Sequence, residues 1–408
     1  MNCRHCGSPL EHTFLDLGFA PPSNAYLSEA DLNKSEKYYP LMVKVCTHCW
    51  LVQTEDYARP DELFSQSYAY FSSTSSSWLA HARNYCKAIT GRLGLNAERL
   101  VIEIASNDGY LLRNFVETGI PCLGIEPTAS TAAAAEELGI SVLREFFGEA
   151  LAKRLAAEGR QADLIIGNNV YAHVPDINDF TRGLKAALKS GGTVTLEFTH
   201  LMRLIEHTLF DTVYHEHFSY LSLTTVRGIF AACGLRVYDV EELPTQGGSL
   251  RVYGCHSQDP RATLPAVEAL VAEEEHRGLS SVETYRAFQH RVDQIKDSLL
   301  MFLIEQKRLS RKVVGYGAAA KGNTLLNYAG VRRDLLPFVC DAAPSKQGKY
   351  LPGSHVPVLP PSGLREHTPD FVIILPWNLA EEVQQQNAFV HEWGGRFVMA
   401  IPSLKVLD

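Results

Sequence analysis

Residues 100–127 read LVIEIASNDGYLLRNFVETGIPCLGIEP: a short apolar strand, a loop of small and polar residues, an amphipathic helix, and a second apolar strand ending in an acid. This order predicts a βαβ unit. In the loop, Ala105, Ser106 and Gly109 are small enough to let a ligand approach the backbone, and Glu126 at the end of the next strand can accept from both hydroxyls of a ribose. The loop lacks the full G-x-G-x-x-G spacing. After Glu103 and Ile104 it offers Ala-Ser-Asn-Asp-Gly, polar side chains rather than a tight pyrophosphate cradle. That chemistry favours S-adenosylmethionine over a dinucleotide, because its sulfonium and amino-acid end need acceptors and it carries no diphosphate. The expected cofactor set is Glu103, Ala105, Asn107, Asp108, Gly109, Glu126 and the adjoining Pro127.

Further along, Phe146 and Phe147 can wall an adenine, with Phe147 taken as the site residue. ADLIIGNNVYAHVPD, from Ala162, reads as a strand running into a polar loop that holds Asn168, Asn169 and His173. GGTVTLEF, from Gly191, reads as a turn and another strand. The alternative is a doubly wound sheet that binds some other nucleotide, since crevices at strand C-termini accept many ligands. The order of elements favours the first reading: about residues 95–240 resemble the class I methyltransferase fold.

The chain has 408 residues, more than one ordinary core, and three domains are expected. With 46% hydrophobic, 10% aromatic and 21% charged residues, its composition is that of a globular protein. A formal charge of -8 argues against a dedicated nucleic-acid binder, although a local basic patch stays open. The start, MNCRHCGSPL, has no apolar signal core, and apolar runs such as residues 371–375 are far short of a membrane span. A cytoplasmic protein with no membrane contact is therefore expected. Nine cysteines, an odd number, suit a reducing compartment better than a disulfide framework.

Four of those cysteines form two C-x-x-C pairs, Cys3 with Cys6 and Cys46 with Cys49. Each such turn presents two sulfurs to one ion, and two turns complete the tetrahedral shell of a zinc. The alternative is two redox-active or merely buried pairs. His5 and His48 lie inside the turns as bystanders, since four thiolates already close the site. A closed site has no open position for catalysis, so the zinc is expected to be structural.

Residues 210–220 read FDTVYHEHFSY and crowd Tyr214, His215, Glu216, His217 and Tyr220 together. A histidine near neutral pKa can remove a proton, and an adjacent carboxylate or phenol can orient it or hydrogen-bond a developing enolate. A second metal site or a satisfied structural cluster are the alternatives. Together, the four-cysteine N-terminus, E-I-x-x-N-D-G, Y-x-E-H-F and the later V-V-G-Y-G-A-x-A-K-G resemble the zinc-containing, S-adenosylmethionine-dependent sugar C-methyltransferases, over nearly the whole chain. The resemblance implies that His217 removes the C3 proton of a nucleotide-linked 4-keto-6-deoxysugar, with Tyr214 and Glu216 beside it. It also assigns a tyrosine in the Ser-rich stretch 65–78 to the active site, where Tyr70 is preferred to Tyr68 for its nearness to Ser72 and Ser73. His215 is a departure, since many relatives place Asp there.

The C-terminal third begins with a helical stretch over 266–310 and then repeats strand, glycine loop and helix in KVVGYGAAAKGNTLLNYAG from Lys312, with Cys340-Asp341 closing the next strand. A second Rossmann-like domain is expected. The resemblance implies that it closes over the nucleotide sugar, which makes Tyr316, Lys321 and Asn323 substrate candidates, with Asn378 after the strand FVIIL a weaker one. Gly248, Ser249 and Arg251 supply either a turn and a cation for a diphosphate or a hairpin with a solvated arginine. The α/β chain thus divides into a zinc-binding domain (1–64), a methyltransferase Rossmann-like domain (65–245) and a C-terminal Rossmann-like substrate domain (246–408). Two other functions stay in view: methylation of a sugar oxygen or nitrogen, and a zinc-ribbon binding module with an inactive methyltransferase core.

Overall fold

A computed structural model of the chain describes residues 1–55 and 72–407. The expectations for Tyr68 and Tyr70 lie outside the described residues. The strands run β1 (His12–Ala20), β2 (Tyr39–Val45), β3 (Val52–Thr54), β4 (Val101–Ile104), β5 (Cys122–Ile125), β6 (Ser141–Leu143), β7 (Ala162–Asn168), β8 (Leu188–Thr199), β9 (Ser219–Tyr220), β10 (Leu235–Leu243) and β11 (Ser249–His256). They continue as β12 (Val313–Tyr316), β13 (Val339–Cys340), β14 (Val358–Leu359), β15 (Phe371–Ile374), β16 (Arg396–Met399) and β17 (Lys405–Leu407). Three sheets result.

The first sheet has the order β1-β2-β3-β9 and is antiparallel. In β2, Leu41, Val43 and Val45 are buried while Met42 and Lys44 between them are not, so one face is apolar by simple alternation. The fourth strand comes from far along the chain: Val52 pairs Tyr220 and Gln53 pairs Ser219, which ties the zinc-binding ribbon to the residues just after His217.

The second sheet has the order β10-β11-β8-β7-β4-β5-β6, with β4 to β8 parallel and β11 antiparallel to β8. All four residues of β4 are buried, as expected of a strand covered on both faces. The strand order reverses between β4 and β7, which puts the crevice at their C-terminal ends. The expected boundary at 245/246 falls within this sheet. It separates β10 from β11, whose eight paired positions and pairing to β8 make β11 an inner strand of the methyltransferase unit.

The third sheet has the order β14-β13-β12-β15-β16-β17, parallel except for the last strand. One apolar core joins it to the first sheet through the long helix Phe288–Arg308. Phe14 of β1 stacks on Phe288 with ring centroids 4.5 Å apart, and Phe302 meets Phe371 of β15 at 5.3 Å. The zinc-binding sheet is therefore packed into the molecule on its apolar face. Among the described residues, no helix is long and apolar enough to cross a membrane.

Candidate functional site

The sulfurs of Cys3, Cys6, Cys46 and Cys49 all lie within 4.8 Å of one another. Cys3 and Cys49 are 3.6 Å apart and Cys6 and Cys46 3.5 Å, close to the roughly 3.8 Å edge of a tetrahedron with ~2.3 Å metal–sulfur bonds. Cys3 and Cys49 share a proton, their contact holding the Cys3 thiol down and the Cys49 thiol up, and a divalent cation would let all four sulfurs ionise together. The quartet fits zinc. His5 turns away to Asn178, at 2.8 Å, and His48 is exposed. From Cys3 a short path leads inward: Gln53 Nε2 donates to its sulfur at 3.2 Å, and the Gln53 side-chain oxygen accepts from Arg4 N–H at 2.9 Å. Gln53 lies on β3, and the next residue, Thr54, donates from Oγ1 to the His217 carbonyl at 3.1 Å.

At the crevice of the second sheet, Ala105, Asn107 and Gly109 all have positive φ, of 56°, 50° and 76°. A side chain at Gly109 would also collide with Ile140 and Ala135, so this turn needs glycine. The loop is held from outside, with Ser72 N–H donating to Asn107 Oδ1 at 2.9 Å and Ser73 N–H to Asp108 Oδ2 at 3.1 Å. Glu126 accepts from the backbone of Asn107 at 3.0 Å and of Thr128 at 2.9 Å, and Pro127 lies between. Burial, with Asp108 and Glu126 close by, raises the Glu103 carboxyl well above its ordinary value. Among the described residues, Glu103 Oε2, Asp108 Oδ1 and both amide atoms of Asn168 are buried without hydrogen-bond partners. Crowded acids and orphaned acceptors suit a ligand with a cationic, donor-rich end, and S-adenosylmethionine has one. Asn169, at φ 53°, follows Asn168 at the rim. Phe147 packs edge-on against Phe180 at 5.2 Å, and Phe146 is the exposed ring of the pair.

Residues 214–217 fold as a tight turn, with the His217 N–H bonded to the Tyr214 carbonyl at 2.9 Å. His217 Nδ1 lies 2.7 Å from the Thr212 carbonyl. A carbonyl can only accept, so Nδ1 carries the proton and Nε2 keeps the lone pair. Burial, then nearby His173, hold its pKa well below the ordinary 6.5, and Lys321 adds to the effect. The Tyr214 ring sits 3.9 Å from the His217 ring and that of His173 4.6 Å. His173 Nδ1 donates to the Glu216 carbonyl at 2.8 Å, and burial brings its pKa down to about 4. His215 points away to the Pro40 carbonyl, 3.2 Å off, and packs on Tyr39.

Across from this turn, Lys321 donates to Gln246 Oε1 and to Asn378 Oδ1, both at 2.9 Å, with its ammonium 4.7 Å from the Trp377 ring. Trp377 Nε1 donates to Asp211 Oδ2 at 2.7 Å. Burial pushes Asp211 up to about 6, against the pull of Lys321, and brings Lys321 down to about 8. Two of the substrate candidates, Lys321 and Asn378, are thus brought together. The five other substrate candidates make contacts within the fold. Arg251 is buried in β11 and paired with Glu197 at 2.6 Å and Glu241 at 3.0 Å, so it is neither solvated nor available to a diphosphate. Gly248 packs on Arg203 and Ser249 is buried, bonding the Thr245 carbonyl at 3.0 Å. Tyr316 lies in the core of the third sheet, and Asn323 is fully buried, donating to the Ser23 carbonyl at 2.6 Å.

The sequence reading passed over Asn24, His81, Glu197, Asp211 and Trp377. Glu197 lies in β8 opposite Asn168, fully buried, and accepts from His81 Nε2 at 2.9 Å and Thr245 Oγ1 at 3.1 Å besides Arg251. An acid in the apolar run TLEF was the available signal for Glu197; nothing local marks the others.

Three family descriptions match in chain order: a zinc binding domain over residues 3–64, a methyltransferase domain over 78–240 and a C-methyltransferase C-terminal domain over 244–402. The chain is 33% identical to the C-methyltransferase NovU of Streptomyces niveus over 406 residues, covering 100% of this chain and 96% of NovU. Among solved structures, a methyltransferase from Anabaena variabilis overlaps 44% of this chain and 86% of its own, at 16% identity and a TM-score of 0.36. The magnesium protoporphyrin IX methyltransferase of Synechocystis overlaps 44% and 82%, at 14% identity and a TM-score of 0.34.

Proposed function

The chain belongs to the zinc-containing, S-adenosylmethionine-dependent C-methyltransferases, and from that membership we propose that its acceptor is a nucleotide-linked 4-keto-6-deoxysugar, methylated at C3 through an enolate. The observation that carries the reading is the His217 imidazole. Its Nδ1 proton is committed to Thr212 and its Nε2 lone pair is kept neutral by burial, which is the state a general base needs. A C3–H beside a C4 carbonyl is acidic enough for such a base. As His217 Nε2 takes the proton, the electron pair moves towards O4, and we assign Lys321 the role of stabilising that charge. Tyr214 and His173 flank the imidazole, while Glu216 orients the turn. Tyr70 is assigned to the same cleft on the family resemblance alone. We assign the cofactor to Glu103, Asn107, Asp108, Glu126 and Asn168, where it supplies an electrophilic methyl group. Zinc, held by the cysteine quartet, keeps the ribbon folded.

The test is proton exchange. The protein is incubated in deuterated water with a nucleotide-linked 4-keto-6-deoxysugar, and NMR follows C3. Enzyme-dependent deuterium uptake without cofactor, and a new C-methyl signal with it, are expected. No exchange across a panel of keto sugars, with cofactor binding intact, overturns the substrate and the enolate route.

A further inference from the structure

The loop between β1 and β2 reaches out of the zinc-binding sheet and into the cleft. Pro21 and Pro22 lead into a tight turn, closed by the Ala25 N–H on the Pro22 carbonyl at 3.0 Å, with Ser23 and Asn24 at its tip. There the Asn24 amide nitrogen lies 2.8 Å from both carboxylate oxygens of Glu216. Glu216 is 1% exposed, so its two oxygens depend on protein donors, and the Asn24 nitrogen is one donor that reaches both.

The turn is fixed from the other side. Asn323 donates to the Ser23 carbonyl at 2.6 Å, and the Tyr26 hydroxyl donates to the Ala318 carbonyl. The residue after Asn323, Thr324, donates to the Val213 carbonyl at 2.9 Å, immediately before Tyr214. One helix, Ala320–Tyr328, therefore grips both the tip that carries Asn24 and the segment that carries Glu216 and His217.

We infer that Asn24 is a positioning residue of the methyl-transfer reaction: it aims the Glu216 carboxylate, and through it the adjoining His217, so that the zinc-binding domain contributes to the active site. A neutral amide suits this role. It donates without cancelling the negative charge of Glu216, as a lysine or arginine would. The inference rests on the catalytic reading of residues 214–217.

The test uses the full-length, zinc-loaded protein and compares Asn24→Asp, Asn24→Ala, Glu216→Gln and the double variant Asn24→Asp/Glu216→Gln, with His217→Asn in parallel. Asn24→Asp is nearly isosteric and suits a turn, but sets one carboxylate against another. It should lower kcat about 100-fold, and Asn24→Ala about 10-fold, with zinc content and cofactor affinity unchanged and KM for the sugar within about twofold. The double variant should be no slower than Glu216→Gln alone, because an interaction already removed cannot be lost twice. If both Asn24 variants turn over at the wild-type rate while His217→Asn is dead, Asn24 has no such role. Losses that multiply in the double variant overturn it equally, since Asn24 then acts independently of Glu216. Normal turnover in His217→Asn overturns the catalytic reading itself.

Discussion

On the proposed mechanism, replacing His217 by asparagine removes the base and little else. The asparagine amide nitrogen takes the place of Nδ1 and can still donate to the Thr212 carbonyl, a bond of 2.7 Å in the structure, so the turn should hold. What disappears is the Nε2 lone pair. A positioned general base contributes about 10²–10⁴-fold, so the barrier should rise by about 3–5 kcal/mol. Deuterium uptake at C3, followed by NMR without cofactor, reads this step alone, and single-turnover methyl transfer should fall by the same factor. Calorimetry should show unchanged cofactor affinity. Exchange within about tenfold of the wild-type rate would refute the reasoning. The pH profile adds a check with a definite sign. Because burial and His173 hold the His217 pKa well below 6.5, the base is neutral throughout the neutral range, and the acid limb of kcat/KM should lie below that value. A half-maximal rate at 6.5 would mark an ordinary, exposed histidine. Lys321, brought down to about 8, should set an alkaline limb there if its charge is used. Stability follows the same linkage. The depressed folded-state pKa of His217 means that the unfolded chain binds more protons below about pH 6.5, so the contribution of this site to stability is present above that pH and is lost on acidification.

Two further outcomes are expected. Chelation of the metal, or Cys46→Ser, should abolish zinc binding and lower methyl transfer about 100-fold, the scale of a 1 Å misplacement, because Cys3, Gln53, β3 and β9 form a continuous path to His217; a metal-free protein with full turnover would contradict this. Arg251→Met strands the buried Glu197 carboxylate and should cost about 3–5 kcal/mol in a denaturant titration while leaving KM for the sugar within about twofold; an unchanged midpoint would contradict the buried pair.

Where chemistry is local, the amino-acid sequence carried it. Glu103, Asn107, Asp108, Gly109 and Glu126 fall within one βαβ unit, whose own geometry brings them to one loop and the adjoining strand end. Each C-x-x-C turn positions two sulfurs by itself, and the matching chemistry of the two turns is enough to expect one ion between them. The crowding of Tyr214, His215, Glu216 and His217 was likewise visible in sequence, whereas the His217 contact with Thr212, five residues back, appears only in the structure. The family resemblance read from these motifs agrees with the matched domains.

The fate of each polar side chain outside such local units was decided by the tertiary structure. Arg251, Tyr316 and Asn323 carry groups that suit a nucleotide sugar, and all three are withdrawn into packed interiors. Arg251 meets Glu197 from 54 positions away, and Asn323 meets Ser23 from 300. Asn24, with no catalytic look in sequence, reaches Glu216 across 192. The physical reason is that covalent spacing sets which groups can form a turn, strand end or metal knuckle. Whether a hydrogen-bonding group is spent on its own fold or left for a ligand depends on the partner that packing brings to it.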